Sequence, residues 1–175
     1  MGFFTDRFEA QLAALGLKIV PVAADGNCFF RAIADQLEGD EEQHAKYREM
    51  VVQYIIDHRE NFEPFVEDDE NFDEYCSRMK ESGTWAGNME IQAASMVTRT
   101  NICIHIFSSP TVYIRNFDDR NAPTLHFSYH NGEHYNSITL VNDIDGQHSN
   151  RVSLVNNHGL LVYAQIFYNM LWGGW

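Results

Sequence analysis

Basic residues are scarce in this sequence. It has 12 lysines and arginines against 25 aspartates and glutamates, a net charge of −13 over 175 residues. Such a chain repels phosphate backbones and anionic lipid. That argues against nucleic acid and membrane surfaces as partners and toward basic ones. Cysteine is rare too: Cys28, Cys76 and Cys103 are odd in number, and no two form a C-x-x-C pair. This argues against a disulfide framework or a thiolate zinc site and points to a reducing compartment. Repeats, low-complexity stretches and phosphate loops are missing. The segment Met1 to Arg7 is too charged for a signal peptide, and Asp6 stands where a myristoylation signal carries Ser or Thr. The apolar stretch from Leu160 to Trp175 is broken by Gln165 and Asn169. It falls short of the roughly 20 residues of a membrane span, so a packed helix or loose tail is expected.

What is present fits one soluble domain, with 45% hydrophobic and 21% charged residues. Thr5 is placed to cap a first helix whose face carries Phe8, Leu12 and Leu15, and Gly16 stops it. Leu17 to Val22 reads as a short strand. Helical spacing recurs in Phe30, Ile33, Ala34 and Leu37, then in Tyr47, Met50, Val51, Tyr54 and Ile55, and again in Phe72, Tyr75, Cys76 and Met79. These stripes predict core, so Cys76 reads as a packed thiol. Asn88 is expected to cap a helix ending near Thr98. Ile102, Ile104 and Ile106 then alternate with Cys103 and His105 as in a strand. Val112–Ile114, Leu125–Tyr129 and His134–Val141 read as further strands, with Gly132 in a turn. Helices first and antiparallel-looking strands later make the class α+β. The stretch from Phe62 to Glu70 is an acidic loop, either a solvated surface or a lip that attracts a basic substrate.

Two stretches carry chemistry. In Asp25-Gly26-Asn27-Cys28, Gly26 permits a tight turn, and Asn27 is expected to cap the helix that follows. Cys28 then sits where unpaired N–H groups and the helix dipole favour thiolate, and where those N–H groups can receive an oxyanion. The other reading is a small buried hydrophobe. In Gly132-Glu133-His134-Tyr135-Asn136-Ser137, His134 and Asn136 lie two apart on a strand and share a face. A carboxamide there fixes the imidazole tautomer, and Cys, His and Asn in that order form a known kind of triad. His126, His130 and His134 do not form a metal-binding helix, because Gly132 and strand alternation interrupt them. No metal site is predicted. The remaining histidines, His105 among them, read as surface or satisfied core. A third stretch, Gly83-Thr84-Trp85-Ala86-Gly87-Asn88 with Glu90, places Trp85 between glycines, where its ring is expected to pack in the core.

These three stretches, in this order and spacing, resemble the ovarian-tumour (OTU) family of deubiquitinases from about Leu12 to Asn142. Phe62 to Asp69 is similar to the subgroup containing OTU-domain-containing protein three. The resemblance implies an OTU-type cysteine protease fold, with a small, mostly antiparallel sheet between helical lobes. It implies hydrolysis of the isopeptide bond between the ubiquitin C-terminus and lysine. It makes Cys28 the nucleophile and His134 the general base. Asn136 is then expected to orient His134, and Asp25 to shape the Cys28 loop and support the oxyanion site; either could complete the triad. Gly26, Asn27, Trp85 and Gly87 are candidate substrate contacts. No metal or cofactor is called for. Ubiquitin or its chains and ubiquitinated proteins are the implied partners, in the cytoplasm or nucleus. A non-catalytic ubiquitin-binding module, or a hydrolase of a ubiquitin-like modifier, is the competing reading. Ala86 replaces the family's usual glycine, with little effect expected. Residues 1–143 are expected to form the catalytic domain and 144–175 an extension of open role.

Overall fold

A computed structural model describes residues 2–119 and 122–141, with side chains from residue 6 onward. The expected extension 144–175 and the Leu160–Trp175 segment lie outside the described residues. Helices α1 (Gly2–Ala13), α2 (Cys28–Glu38), α3 (His44–Asp57), α4 (Arg59–Phe62), α5 (Phe72–Lys80) and α6 (Asn88–Thr98) accompany five strands. These are β1 (Leu17–Val20), β2 (Asn101–Ile106), β3 (Val112–Ile114), β4 (Thr124–His130) and β5 (His134–Leu140). The sheet order is β1-β5-β4-β2-β3. Three pairs are antiparallel, as expected. The β2–β4 pair is parallel, because β3 pairs antiparallel with β2 at the sheet edge and the chain then crosses to the other side of β2.

Both sheet faces are covered. Ile102, Ile104, Leu125 and Phe127 join Phe29, Phe30, Ile33, Val51, Ile55 and Ile91 in the main core, which α2, α3 and α6 build against one face. Helix α1 lays Phe8 and Leu12 on the opposite face, over Leu17 and Ile138. The helical stripes are correct in type, with local differences. α1 starts before Thr5, which therefore does not cap it, and Leu15 falls past the helix end and is exposed. Met50 is also exposed, while its neighbours Val52 and Arg48 are buried. The cap of α6 is Gly87 rather than Asn88. Gly16 ends α1 with φ +74°, and Gly39 ends α2 with φ +72°, both left-handed values that suit glycine.

The acidic segment folds into short turns. Glu63 pairs with Arg59 at 2.6 Å and Glu70 with Arg78 at 2.6 Å, so it is more than a solvated loop. With α5, α6 and β3 it walls a groove of about 690 Å³ lined by Phe62, Phe65, Val66, Met89, Val112 and Ile114. No helix among the described residues is long and apolar enough to cross a membrane.

Candidate active site

Cys28 is the first residue of α2 and is buried at the edge of the main core. It lies against the start of β5: the Tyr135 N–H, one peptide beyond His134, points at the sulfur. Phe29 stacks edge-on to Tyr135, with ring centroids 5.4 Å apart, which fixes α2 on the strand. Asn131 and Gly132 take φ +53° and +78°, and Glu133 N–H donates to His130 O at 3.0 Å. The Asn-Gly pair thus supplies the left-handed residues that reverse the chain into β5 and set His134 at its start.

His134 Nε2 lies 2.9 Å from Asn136 Oδ1, and the Val22 backbone N–H donates to that same oxygen at 3.0 Å. A backbone N–H can only donate, so the contacted atom of Asn136 is its oxygen, which can only accept. The imidazole must therefore carry its proton on Nε2. That leaves Nδ1 with its lone pair, the form a general base needs. Asn136 is buried, and the Val22 contact bridges β5 to the chain leading into the Cys28 loop.

Asp25 is held by its own loop and by α2. Its carboxylate accepts from Asn27 N–H at 2.8 Å, from Asn27 Nδ2 at 3.3 Å, and from Arg31 Nε and Nη2 at 3.1 and 3.0 Å. Burial opposes its charge, but Arg31 and Asn27 hold the carboxyl below the usual carboxylate range. Of the two candidates for the third triad position, Asn136 is the one bonded to His134. The Asn27 N–H is thus occupied by Asp25 and is not free to receive an oxyanion. The Cys28 N–H makes a longer bond of 3.2 Å to Asp25 O.

The expected capping role of Asn27 is not what its side chain does: it makes no cap hydrogen bond. Its Oδ1 instead accepts from Gly83 N–H at 2.8 Å and from Arg48 Nη2 at 2.8 Å. Arg48 is the site residue that sequence reading missed, because an arginine beside an apolar stripe looks like a surface residue. It is buried, stacks 4.4 Å above Phe30, and also donates to the carbonyls of Met79, Gly26 and Thr84 at 3.0, 3.1 and 2.7 Å. One guanidinium therefore joins α3, the Cys28 loop and the 79–84 segment. Gly26 lies beneath that segment: a Cβ added there would sit 1.6 Å from Gly83 O. Trp85 projects outward at 59% exposure, against the expected core position, because it follows this tightly bound backbone on its solvent side. Gly87 N–H donates to the buried Glu90 at 2.7 Å, and Tyr75 holds the other carboxylate oxygen at 2.5 Å.

The electrostatics differ from expectation at Cys28. Burial pushes its thiol up from the ordinary value. The N–H groups of Tyr135, Phe29 and Cys28 pull it back only in part, and the Asp25 charge adds to the rise. The helix start does direct N–H groups at the sulfur, but desolvation outweighs them. A raised value leaves less thiolate at any given pH. Iodoacetamide should therefore label Cys28 more slowly at pH 7 than a free thiol, with a rate still climbing above pH 9.0. Mass mapping over a pH series checks this, and an inflection below about pH 8 would contradict it. Cys76 and Cys103 are buried as well, and burial pushes Cys103 to about 12.

The sequence profile described as "OTU-like cysteine protease" matches residues 23–137. The chain is 64% identical over 140 residues to "OVARIAN TUMOR DOMAIN-containing deubiquitinating enzyme 7" of Arabidopsis thaliana, covering 80% of this chain and 37% of that protein. It is 46% identical over 136 residues to mouse OTU domain-containing protein 3, covering 78% and 34%. The chain thus spans about a third of the length of these curated relatives. Among solved structures, the OTUD1 OTU domain superposes with a TM-score of 0.71 at 26% identity, covering 77% of this chain and 93% of that one. An OTU domain solved in complex with ubiquitin shares the fold, with a TM-score of 0.60 at 23% identity over 70% of this chain and 69% of that one.

Proposed function

From the premise that this chain belongs to the family of OTU-like cysteine proteases, we propose that it is a deubiquitinase with Cys28 as nucleophile, His134 as general base and Asn136 as its orienting partner. The observation that carries this reading is the Val22–Asn136–His134 hydrogen-bond chain, which leaves the imidazole with a basic Nδ1 beside the segment that touches Cys28. Relatives named as deubiquitinating enzymes support the substrate class.

In this mechanism His134 Nδ1 takes the thiol proton as the sulfur attacks the carbonyl of the ubiquitin C-terminal glycine. The raised thiol value leaves the sulfur protonated at neutral pH, so His134 must take its proton for attack to occur. A C–S bond forms, and the Cys28 N–H, turning from its long 3.2 Å bond to Asp25 O, steadies the oxyanion. Imidazolium His134 then protonates the lysine amine as the C–N bond breaks. Water, activated by the same nitrogen, hydrolyses the thioester and frees the carboxylate. Asp25 and Arg48 hold the loop around Cys28 without touching the reacting atoms. Trp85, exposed beside that loop, offers an aromatic face to the incoming ubiquitin tail, and Gly26, Asn27 and Gly87 shape the backbone there. The acidic surface suits a basic tail. A reducing cytoplasm or nucleus, where ubiquitin conjugates occur, fits three free cysteines.

The test is a ubiquitin with a C-terminal electrophile: an adduct on Cys28 supports the reading, and one on Cys76 or Cys103 instead would sink it. Asn136→Ala should lower kcat by roughly 10- to 100-fold with little change in KM, since base positioning supplies part of the general-base factor. Asn136→Asp keeps an acceptor and should recover most of the loss. A fluorogenic ubiquitin amide reads both constants, and a loss confined to KM would refute the orienting role.

A further inference from the structure

On the sheet face away from α2, three side chains unused by this chemistry converge. Cys103 and His105 are two apart on β2 and share that face, and His126 is the direct neighbour of Cys103 across the parallel β2–β4 ladder. All three are buried. His105 Nε2 stands 3.4 Å from Cys103 Sγ and 3.1 Å from His126 Nδ1, and the donor atoms all lie within 4.8 Å of one another. We infer that this cluster binds one copper(I) ion through Cys103 Sγ, His105 Nε2 and a ring nitrogen of His126.

His105 Nε2 has either one proton or one lone pair, yet two polar atoms crowd it. It can donate to one of them or share a single lone pair between them, while the Tyr113 hydroxyl also reaches Cys103 Sγ. A cation lets all three donors point inward. With bonds of ~2.0–2.3 Å, the donors of a three-coordinate ion lie about 3.5–3.7 Å apart, so the 3.1 and 3.4 Å contacts need to open by a few tenths of an ångström and the third pair, within 4.8 Å, to settle at the same spacing.

Charge selects the ion. The cluster contains no carboxylate. One thiolate and two neutral imidazoles carry −1, which a monovalent ion cancels. A divalent ion would leave a buried net charge, which is costly. Thiolate is a soft ligand and favours copper(I). On binding, the Cys103 S–H bond breaks, an S–Cu bond forms, and the proton passes to solvent; copper stays in the same oxidation state. The Tyr113 hydroxyl, from the neighbouring strand, points at the same sulfur and supports its bound form. Strand alternation places Cys103 and His105 together, but His126 arrives only through parallel pairing. That is why no metal site was predicted from sequence.

The test uses the full chain carrying Cys28→Ser and Cys76→Ser, so that Cys103 is its one thiol. It is mixed without oxygen with copper(I) held by bicinchoninate. One equivalent should leave the chelator, and X-ray absorption at the copper edge should give one sulfur and two nitrogen neighbours. Adding Cys103→Ser or His126→Phe should weaken uptake at least tenfold, with thermal melts confirming that each variant folds. The X-ray spectrum stands whether or not those variants fold. No uptake, a copper environment without sulfur, or preference for Zn²⁺ over copper(I) would overturn the assignment.

Discussion

Cys28→Ala is expected to reduce hydrolysis of a ubiquitin C-terminal amide to the background rate, a loss on the order of 10⁶-fold. The size follows from covalent catalysis. The sulfur splits amide hydrolysis into acyl transfer and thioester hydrolysis, and alanine offers no atom for the first step. His134 and the loop N–H groups remain, but they have no bond-forming partner to assist. The side chain is small and already within the core edge, so the fold should change little. Binding of intact ubiquitin should therefore survive while turnover disappears. Parallel measurement of turnover and of ubiquitin affinity separates the two. Residual activity within tenfold of the parent would mean that another residue is the nucleophile.

The second large effect is expected at Gly26→Ala. The new Cβ would stand 1.6 Å from Gly83 O and 2.3 Å from Gly83 C, both backbone atoms that cannot rotate aside. The Cys28 loop or the 82–84 segment must therefore move. Either shift pulls on the Asn27–Gly83 bond of 2.8 Å and on the Arg48 bonds to Gly26 and Thr84. Overpacking of this kind costs about 1–3 kcal/mol. Displacement of a nucleophile by an ångström can cost on the order of 10² in rate. A fall in kcat/KM near that size is expected, with a lowered Tm. Gly16→Ala is the control. Gly16 has φ +74° with nothing within 4 Å of an added Cβ, and it ends α1 away from the site. It should lower Tm through backbone strain alone and leave turnover intact. If Gly26→Ala keeps full activity, the loop contact does not position the nucleophile.

What the sequence made legible was governed by short-range periodicity. Stripes such as Phe30, Ile33 and Ala34 located α2, and alternation located β2 and β5, because burial of one face imposes a fixed spacing. His134 and Asn136 were readable as a pair for the same reason: residues two apart on a strand share a face. Pairing across distance left no such trace. Nothing local says that β2 runs parallel to β4, so the meeting of His126 with Cys103 and His105 was invisible. Arg48 was hidden because most of its partners are backbone carbonyls, three of them on two remote segments, which have no residue signature. Trp85 was misplaced because glycines on either side signal close backbone packing without saying which side the ring takes. The thiol's direction was misjudged because helix position can be read locally, whereas the surrounding apolar wall comes from other elements.

The Val22–Asn136 bond and the β1–β5 ladder, which pairs Leu17 with Leu140, join the two ends of the described fold. During synthesis the nucleophile leaves the ribosome more than a hundred residues ahead of the base that activates it. β1 has no strand to pair with until β5 emerges. A nascent or truncated chain lacking the last strand therefore carries a chemically idle cysteine, and proteolytic competence arrives in a single late step when that strand docks.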